Sequence, residues 1–219
     1  LDMTSGDVTV IDEAASAGFQ PVFTADGSRV LYRTASTREG LLYRDVRAYD
    51  FGEKAVSTLE APSRSRAHVA TMAGATYALA DFSAIEVSIN GKVSRVSPVE
   101  DAYSYQWATL SPDGNRLAFT EPFKGVYISG VDGSEARNVL PKGDYISWAG
   151  PSTIIAVVSH DDGYVLLDSR LVAVNINTGI VSYLTPEDVL VSEATAAPTG
   201  LVVYSDVDGN LFSIDINAL

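Results

Sequence analysis

The chain offers little nucleophilic or metal-binding chemistry. Two histidines, His68 and His160, and no cysteine stand among its 219 residues. Without cysteine there are no disulfides, no thiolate metal sites and no cysteine nucleophile. A Ser-His-Asp triad would have to use His68 or His160, and no G-x-S-x-G elbow occurs. The most polar stretch, SHDDGY from Ser159 to Tyr164, sets His160 beside Asp161 and Asp162. Adjacent groups without a distant ligand are weak metal sites, so the stretch reads as a turn. SDVDGN, from Ser205 to Asn210, has half of a calcium loop but not its distal glutamate, and it also reads as a turn. These stretches give no catalytic residue, no metal and no cofactor.

Charge narrows the partners. The net charge is -13. Residues 1–66 hold eight Lys/Arg against ten Asp/Glu, and residues 67–142 hold six against eight. Residues 143–219 hold one base, Arg170, against ten acids. Such a chain repels phosphate backbones, which argues against nucleic acid. The asymmetry serves solubility, or it makes a dipolar molecule that steers a charged partner to one side. With 46% hydrophobic and 20% charged residues the composition is that of an ordinary globular protein. No stretch approaches the roughly 18 apolar residues that span a bilayer. The first ten residues, LDMTSGDVTV, carry neither the basic nor the apolar region of a signal peptide.

Any residue that acts must be positioned by a repeat. LSPDGNRLAF from Leu110 aligns with FTADGSRVLY from Phe23, ATMAGATYAL from Ala70, WAGPSTIIAV from Trp148 and TAAPTGLVVY from Thr195. The turn residues Gly27, Gly74, Gly114, Ser152 and Thr199 are spaced by 47, 40, 38 and 47. Each segment is an apolar strand after a small turn. Four of them are followed by a second hairpin: residues 41–59, 84–97, 125–140 and 170–185. Asn90-Gly91, Asp132-Gly133 and Thr178-Gly179 tolerate the positive φ of tight hairpin turns. The flanks alternate apolar and polar, as half-buried strands do, and no window shows a helical period.

Each unit is then a four-stranded antiparallel sheet of about forty residues, the size of a propeller blade. The expected architecture is all-β: a five-bladed β-propeller with blades near 17–60, 61–98, 99–141, 142–186 and 187–219. The last unit is short. Its missing strand is DVTVIDE, residues 7–13, and the wrap-around spacing of 47 matches the others. That closure removes free sheet edges. An open two-sheet sandwich explains neither the five units nor the wrap-around.

SPDGNRLAF followed by VYISGVDGSEARNVL resembles the repeat of the TolB-like propellers, also called the WD-like β-propeller repeat. The first unit keeps ADGSRVLY and LLYRDVRAYD, and the fourth keeps Trp148 and IVSYLT. The second and fifth are degenerate. The resemblance covers nearly the whole chain, and its motif marks a turn and a strand, not a reaction. TolB itself has six blades and a separate N-terminal domain, against five units here. The resemblance implies an exported bacterial propeller, periplasmic or secreted with its signal removed, whose work is binding a protein of the cell envelope.

The resemblance also says where to look. In propellers the loops entering each first strand share one face with those joining second to third strands. That face would carry Arg38, Arg64 and Arg66 from the early units. The later units would contribute Asp101, Tyr103, Phe123, Asp144, His160, Asp161 and Tyr164. These are the candidate partner-binding residues, with the three aromatics as anchors. The alternative is a glycan-binding or glycoside-cleaving propeller, which would use two carboxylates from Asp101, Asp144 and Glu193. Trp107 and Trp148 fall on inner strands and read as core. The expected molecule is a non-catalytic monomer.

Overall fold

The computed structural model describes residues 5–13, 18–24, 26–63, 68–73, 76–81, 83–90 and 92–218. Within these ranges, side chains are not described for residues 19–20, 60–63, 68–73, 76–77 and 79–81. The described residues form nineteen strands and, at Ile216–Ala218, one 3-10 turn. The first sheet runs β1 (Phe19–Phe23), β2 (Arg29–Arg38), β3 (Leu41–Asp50) and β4 (Ala55–Ser63). The second runs β5 (His68–Ala73), β6 (Thr76–Asp81), β7 (Ala84–Ile89) and β8 (Lys92–Val96). The third is β9 (Gln106–Leu110), β10 (Arg116–Glu121), β11 (Gly125–Gly130) and β12 (Arg137–Leu140). The fourth is β13 (Asp144–Trp148), β14 (Thr153–Asp161), β15 (Leu166–Asn175) and β16 (Val181–Tyr183). The fifth has three strands, β17 (Val191–Ala196), β18 (Leu201–Asp206) and β19 (Leu211–Asp215). Every pairing is antiparallel between chain neighbours.

The sheets stack face to face, and the core lies between them. Ala118, Val126 and Ile128 of the third sheet meet Ile154, Ala156, Val172 and Trp148 of the fourth. Ile155, Val157 and Leu171, on the fourth sheet's other face, meet Val191, Val202 and Tyr204 of the fifth. Leu117 and Phe119 join Ala78, Ile85 and Val87 of the second. A sheet covered on both faces needs a continuous apolar run, and β14 reads Ile154-Ile155-Ala156-Val157, all buried. The fifth sheet is covered on one face. In β18, Val202 and Tyr204 are buried while Leu201 and Val203 are exposed.

The first strands pack in series, β1 on β5, β5 on β9, β9 on β13 and β13 on β17. They therefore form the inner edge of a fan of sheets. Each carries one extra residue against its partner: at 19–22, 68–70, 106–109, 144–147 and 191–193. A β-bulge in this position bends the strand and re-aims a side chain. It recurs in all five sheets.

The turns explain the repeat. Asp113 accepts from Ser111 Oγ at 2.5 Å and from Asn115 N at 3.1 Å, while Arg116 N donates to Ser111 Oγ at 3.0 Å. The first sheet repeats this with Thr24, Asp26, Ser28 and Arg29. Gly114 and Gly27 close these turns at φ 73° and 69°. In the fifth sheet the equivalent residue is Gly200, whose N–H bonds to Ala197 O as that of Gly114 bonds to Ser111 O. The alignment on Thr199 is thus one residue short.

The expected terminal strand differs from the structure. Residues 6–13 form no strand, and no strand pairs with the outer edge of β19 among the described residues. The segment lies instead against the first sheet. Tyr32 Oη donates to Asp12 at 2.6 Å, and Arg47 bridges Asp12 at 2.9 Å and Asp45 at 3.0 Å. A cavity of about 340 Å³ lies beneath, lined by Thr9, Val10, Ile11 and Asp12 opposite Pro21, Val30, Tyr32 and Thr34. The local cause is charge and burial. Asp12 meets Arg47 there, and the segment covers the face that Val30 and Tyr32 present. No packing comparable to the β1–β5 series joins β17 to β1 among the described residues.

Candidate functional site

Strand direction alternates within each sheet, so the loops entering first strands and those joining second to third strands share one end. On the third sheet these are residues 97–105 and 122–124. Tyr103 and Phe123 project from them, 74% and 77% exposed, edge to face with ring centroids 5.1 Å apart. Their backbones are tied to one carboxylate. Glu121, the last residue of β10, is 1% exposed, and its two oxygens accept from Tyr103 N at 2.8 Å and Phe123 N at 2.9 Å. Lys124 Nζ donates to Glu100 O at 2.6 Å and Asp101 O at 3.1 Å, bracing the loops from outside. Two exposed rings on a cross-braced support form a preorganised contact point, which loses little side-chain entropy on binding.

The bulges build a second cluster on the inner edge. Trp107 and Tyr145 occupy the same place in β9 and β13, four residues before Ser111 and Ala149. Both have left-handed φ, 53° and 52°, which is uncommon for bulky residues and concentrates at functional sites. Their rings lie 4.5 Å apart at 38°. Trp107 Nε1 donates to Asp144 Oδ1 at 3.2 Å. Burial pushes the Asp144 carboxyl above its ordinary range, against the Trp107 hydrogen bond and the charge of Lys142. Burial, then the charges of Glu193 and Asp144, push the Tyr145 phenol up.

The sequence-predicted residues divide accordingly. Tyr103 and Phe123 come together, and Asp101 joins them through its backbone carbonyl, in the left-handed region at φ 51°. Asp144 belongs to the inner cluster with Glu193. The carboxylate of Asp101 is tied to neither among the described residues. His160 Nδ1 faces Asp168 across the hairpin at 3.0 Å, both exposed. Asp161 accepts from Gly163 N at 2.9 Å, and Asp162 from Tyr164 N at 2.9 Å and Val165 N at 2.8 Å. Those bonds make SHDDGY a side-chain-capped turn, and they leave Tyr164 96% exposed at its tip. Asp206 caps SDVDGN in the same way, accepting from Asp208 N and Asn210 N, each at 2.9 Å. Arg38, at the end of β2, places its guanidinium 5.4 Å from the Tyr43 ring centroid. Arg64 and Arg66 lie outside the described residues. No group of three or more metal-ligating side chains occurs among the described residues. Sequence reasoning missed Glu121, and it read Trp107 as core, which it is in part, packed on the cluster between the third and fourth sheets, but it did not foresee the contact with Tyr145. The signal for Trp107 was available, since it and Tyr145 both precede the turn residue by seven.

Similarity to solved structures bears on this geometry. TolB from Acinetobacter baumannii matches with a TM-score of 0.61 and 16% identity, over 90% of this chain and 54% of that one. A protein assigned as a TolB from Agrobacterium tumefaciens matches at 0.61 and 16%, over 94% and 83%. The fold is that of the TolB-like propellers. An oligogalacturonate lyase in complex with manganese matches this chain at 0.62 and 12%, over 91% of it and 62% of the lyase. The chain thus spans only part of these proteins, little more than half of the Acinetobacter TolB. No family model and no curated relative matches it. None of its described helical segments is long and apolar enough to cross a membrane.

Proposed function

We propose that the protein is a non-catalytic binding module of the bacterial envelope, docking a protein partner through its loop-rich face. In this reading the five sheets are the blades of a propeller, which residues 7–13 close only by leaving the first sheet, where they lie in this structure, for the free edge of β19. The observation that carries the docking reading is the Tyr103–Phe123 pair. Two adjoining rings left three-quarters exposed, on loops fixed by a buried carboxylate, form a rigid aromatic anchor of the kind that dominates binding interfaces. TolB, with the same fold, suggests an exported protein-binding role.

The test is affinity capture from envelope extract with the native chain and with Tyr103→Ser/Phe123→Ser. One stoichiometric protein retained by the native chain and lost by the variant, at unchanged melting temperature, is expected. Identical retention by both forms overturns the reading. The glycoside-cleaving alternative has one observation in its favour. Asp144 is half-buried with a raised pKa and Glu193 is exposed on the next first strand, the split environment of an acid and base pair. Release of reducing sugar that Asp144→Asn or Glu193→Gln abolishes would favour it.

A further inference from the structure

The inner cluster has a feature that docking through the aromatic pair does not use. Asp144 and Glu193 project from adjacent first strands beside two aromatic faces, and neither forms an ion pair among the described residues. The chain has few cations to offer them. Arg170, the one base of residues 143–219, is held by Glu187 at 3.1 Å and Thr185 O at 3.1 Å, over the Tyr183 ring. Lys142 acts on Asp144 through charge alone. Two carboxylates beside two aromatic rings, with Lys142 near enough to act on Asp144 but in no ion pair with either among the described residues, match the recognition of an organic cation. An acidic oligosaccharide is repelled there, and a neutral one leaves both charges unanswered.

We propose that Trp107, Tyr145, Asp144 and Glu193 form a receptor for a guanidinium or ammonium group, supplied by an Arg or Lys side chain of the docking partner. This rests on the docking reading. The cation enters from the loop-rich end, where these first strands begin, on the same side as Tyr103 and Phe123. The indole and phenol faces take its apolar edge. Asp144, oriented by the Trp107 N–H, and Glu193 accept its N–H groups. Both rings, on left-handed residues, meet each other and rest partly buried on the core clusters either side of the fourth sheet, which holds them in place. Charge asymmetry supports the assignment, since the most acidic part of the chain contributes three of the four residues.

The test uses small probes on the purified full chain, so that its failure is separate from failure to find a partner. The protein has two tryptophans, and Trp148 is buried. Its two indole N–H resonances therefore report on the site without substitution. Nα-acetyl-arginine amide is titrated against its neutral isostere, Nα-acetyl-citrulline amide, and against cellotriose. The expected result is a saturable shift of one indole resonance by the arginine probe. Citrulline binds at least tenfold more weakly, and Asp144→Asn and Glu193→Gln each weaken the arginine probe about tenfold. Glu193 is exposed, so its substitution leaves folding intact and keeps the comparison valid. An absent shift, an equal response to citrulline, or a response unaffected by both variants overturns the proposal. A shift by cellotriose alone overturns it in favour of a sugar site. In each of these cases the Tyr103–Phe123 reading stands or falls on its own capture experiment.

Discussion

At the scale of single residues, the two carboxylates that matter behave oppositely. Glu121 is buried and satisfied by two backbone N–H groups, so removing it leaves two donors without acceptors. Each costs about 1–3 kcal/mol where water cannot reach. Glu121→Ala should therefore lower the melting temperature by several degrees, at roughly 2–4 °C per kcal/mol for a chain of this size. It should also loosen the aromatic pair and weaken partner capture. Glu121→Gln should rescue only in part, because its one carbonyl oxygen cannot replace two carboxylate oxygens. An Ala variant that melts at the native temperature would show that the two bonds contribute nothing. Asp144 is half-buried and its pKa is raised, so the folded state holds its proton to higher pH than the unfolded chain does. Its ionisation then costs stability as pH rises from the ordinary aspartate value of 3.8 through the raised one, and that cost persists at neutral pH. Asp144→Asn should gain stability over the native chain across that window and keep the gain at pH 7. Asp26 has the opposite sign. Bonds from Thr24 and Ser28 lower its pKa to about 2, so its contribution is lost as pH falls from 3.8 towards that value. Thermal melts from pH 2 to 7 separate the two effects.

At the scale of elements, two glycines test what the turns require. Gly27 closes the Asp26 turn at φ 69° with open space around it, so Gly27→Ala meets only backbone strain, about 1–2 kcal/mol. Gly125, at φ 103°, starts β11 directly beneath the aromatic pair. A Cβ there would run into the backbone of Leu140 and Pro141. Gly125→Ala must separate β11 from β12, and it should cost clearly more than Gly27→Ala in a denaturant titration. Similar midpoints would mean that β12 yields easily. Much of this element-scale structure is legible in the sequence. SPDG and ADG announce turns, and Val, Tyr and Ile in VYISG announce a strand, which the fold covers on both faces. The continuous run Ile154–Val157 marks a sheet covered on both faces. The bulges escaped, because an extra residue in a strand leaves no compositional mark. With them escaped the pairing of Trp107 with Tyr145, and so the inner cluster. Glu121 escaped for a related reason. It is one acid among many until the fold buries it, and only the loops it ties together reveal its role.

At the scale of the molecule, the open question is how the fan ends. A propeller covers both outward faces, yet here Leu201 and Val203 of the fifth sheet are exposed while residues 9–12 cover the first sheet. The bond from Tyr32 to Asp12 and the Arg47 bridge hold the segment by its C-terminal end. Val8 and Val10 remain exposed. Closure would take residues 7–11 from the first sheet onto the edge of β19, with Asp12 as the hinge, and would bring the fifth sheet towards the first. The sequence favours this: DVTVI alternates as a strand does, and a paired β19 no longer offers a free edge for aggregation. The absence of cysteine makes the idea directly testable. Val8→Cys is combined in turn with Phe212→Cys, Ser213→Cys and Ile214→Cys, each placing a thiol on β19. If the segment completes the last blade, one of the three pairs should oxidise rapidly within the monomer. That bond would close a loop of about two hundred residues, and chain entropy assigns it roughly 5 kcal/mol, less any strain. A rise in melting temperature should accompany it and disappear on reduction. If none of the three forms, the segment stays on the first sheet and residues 7–13 do not pair with β19.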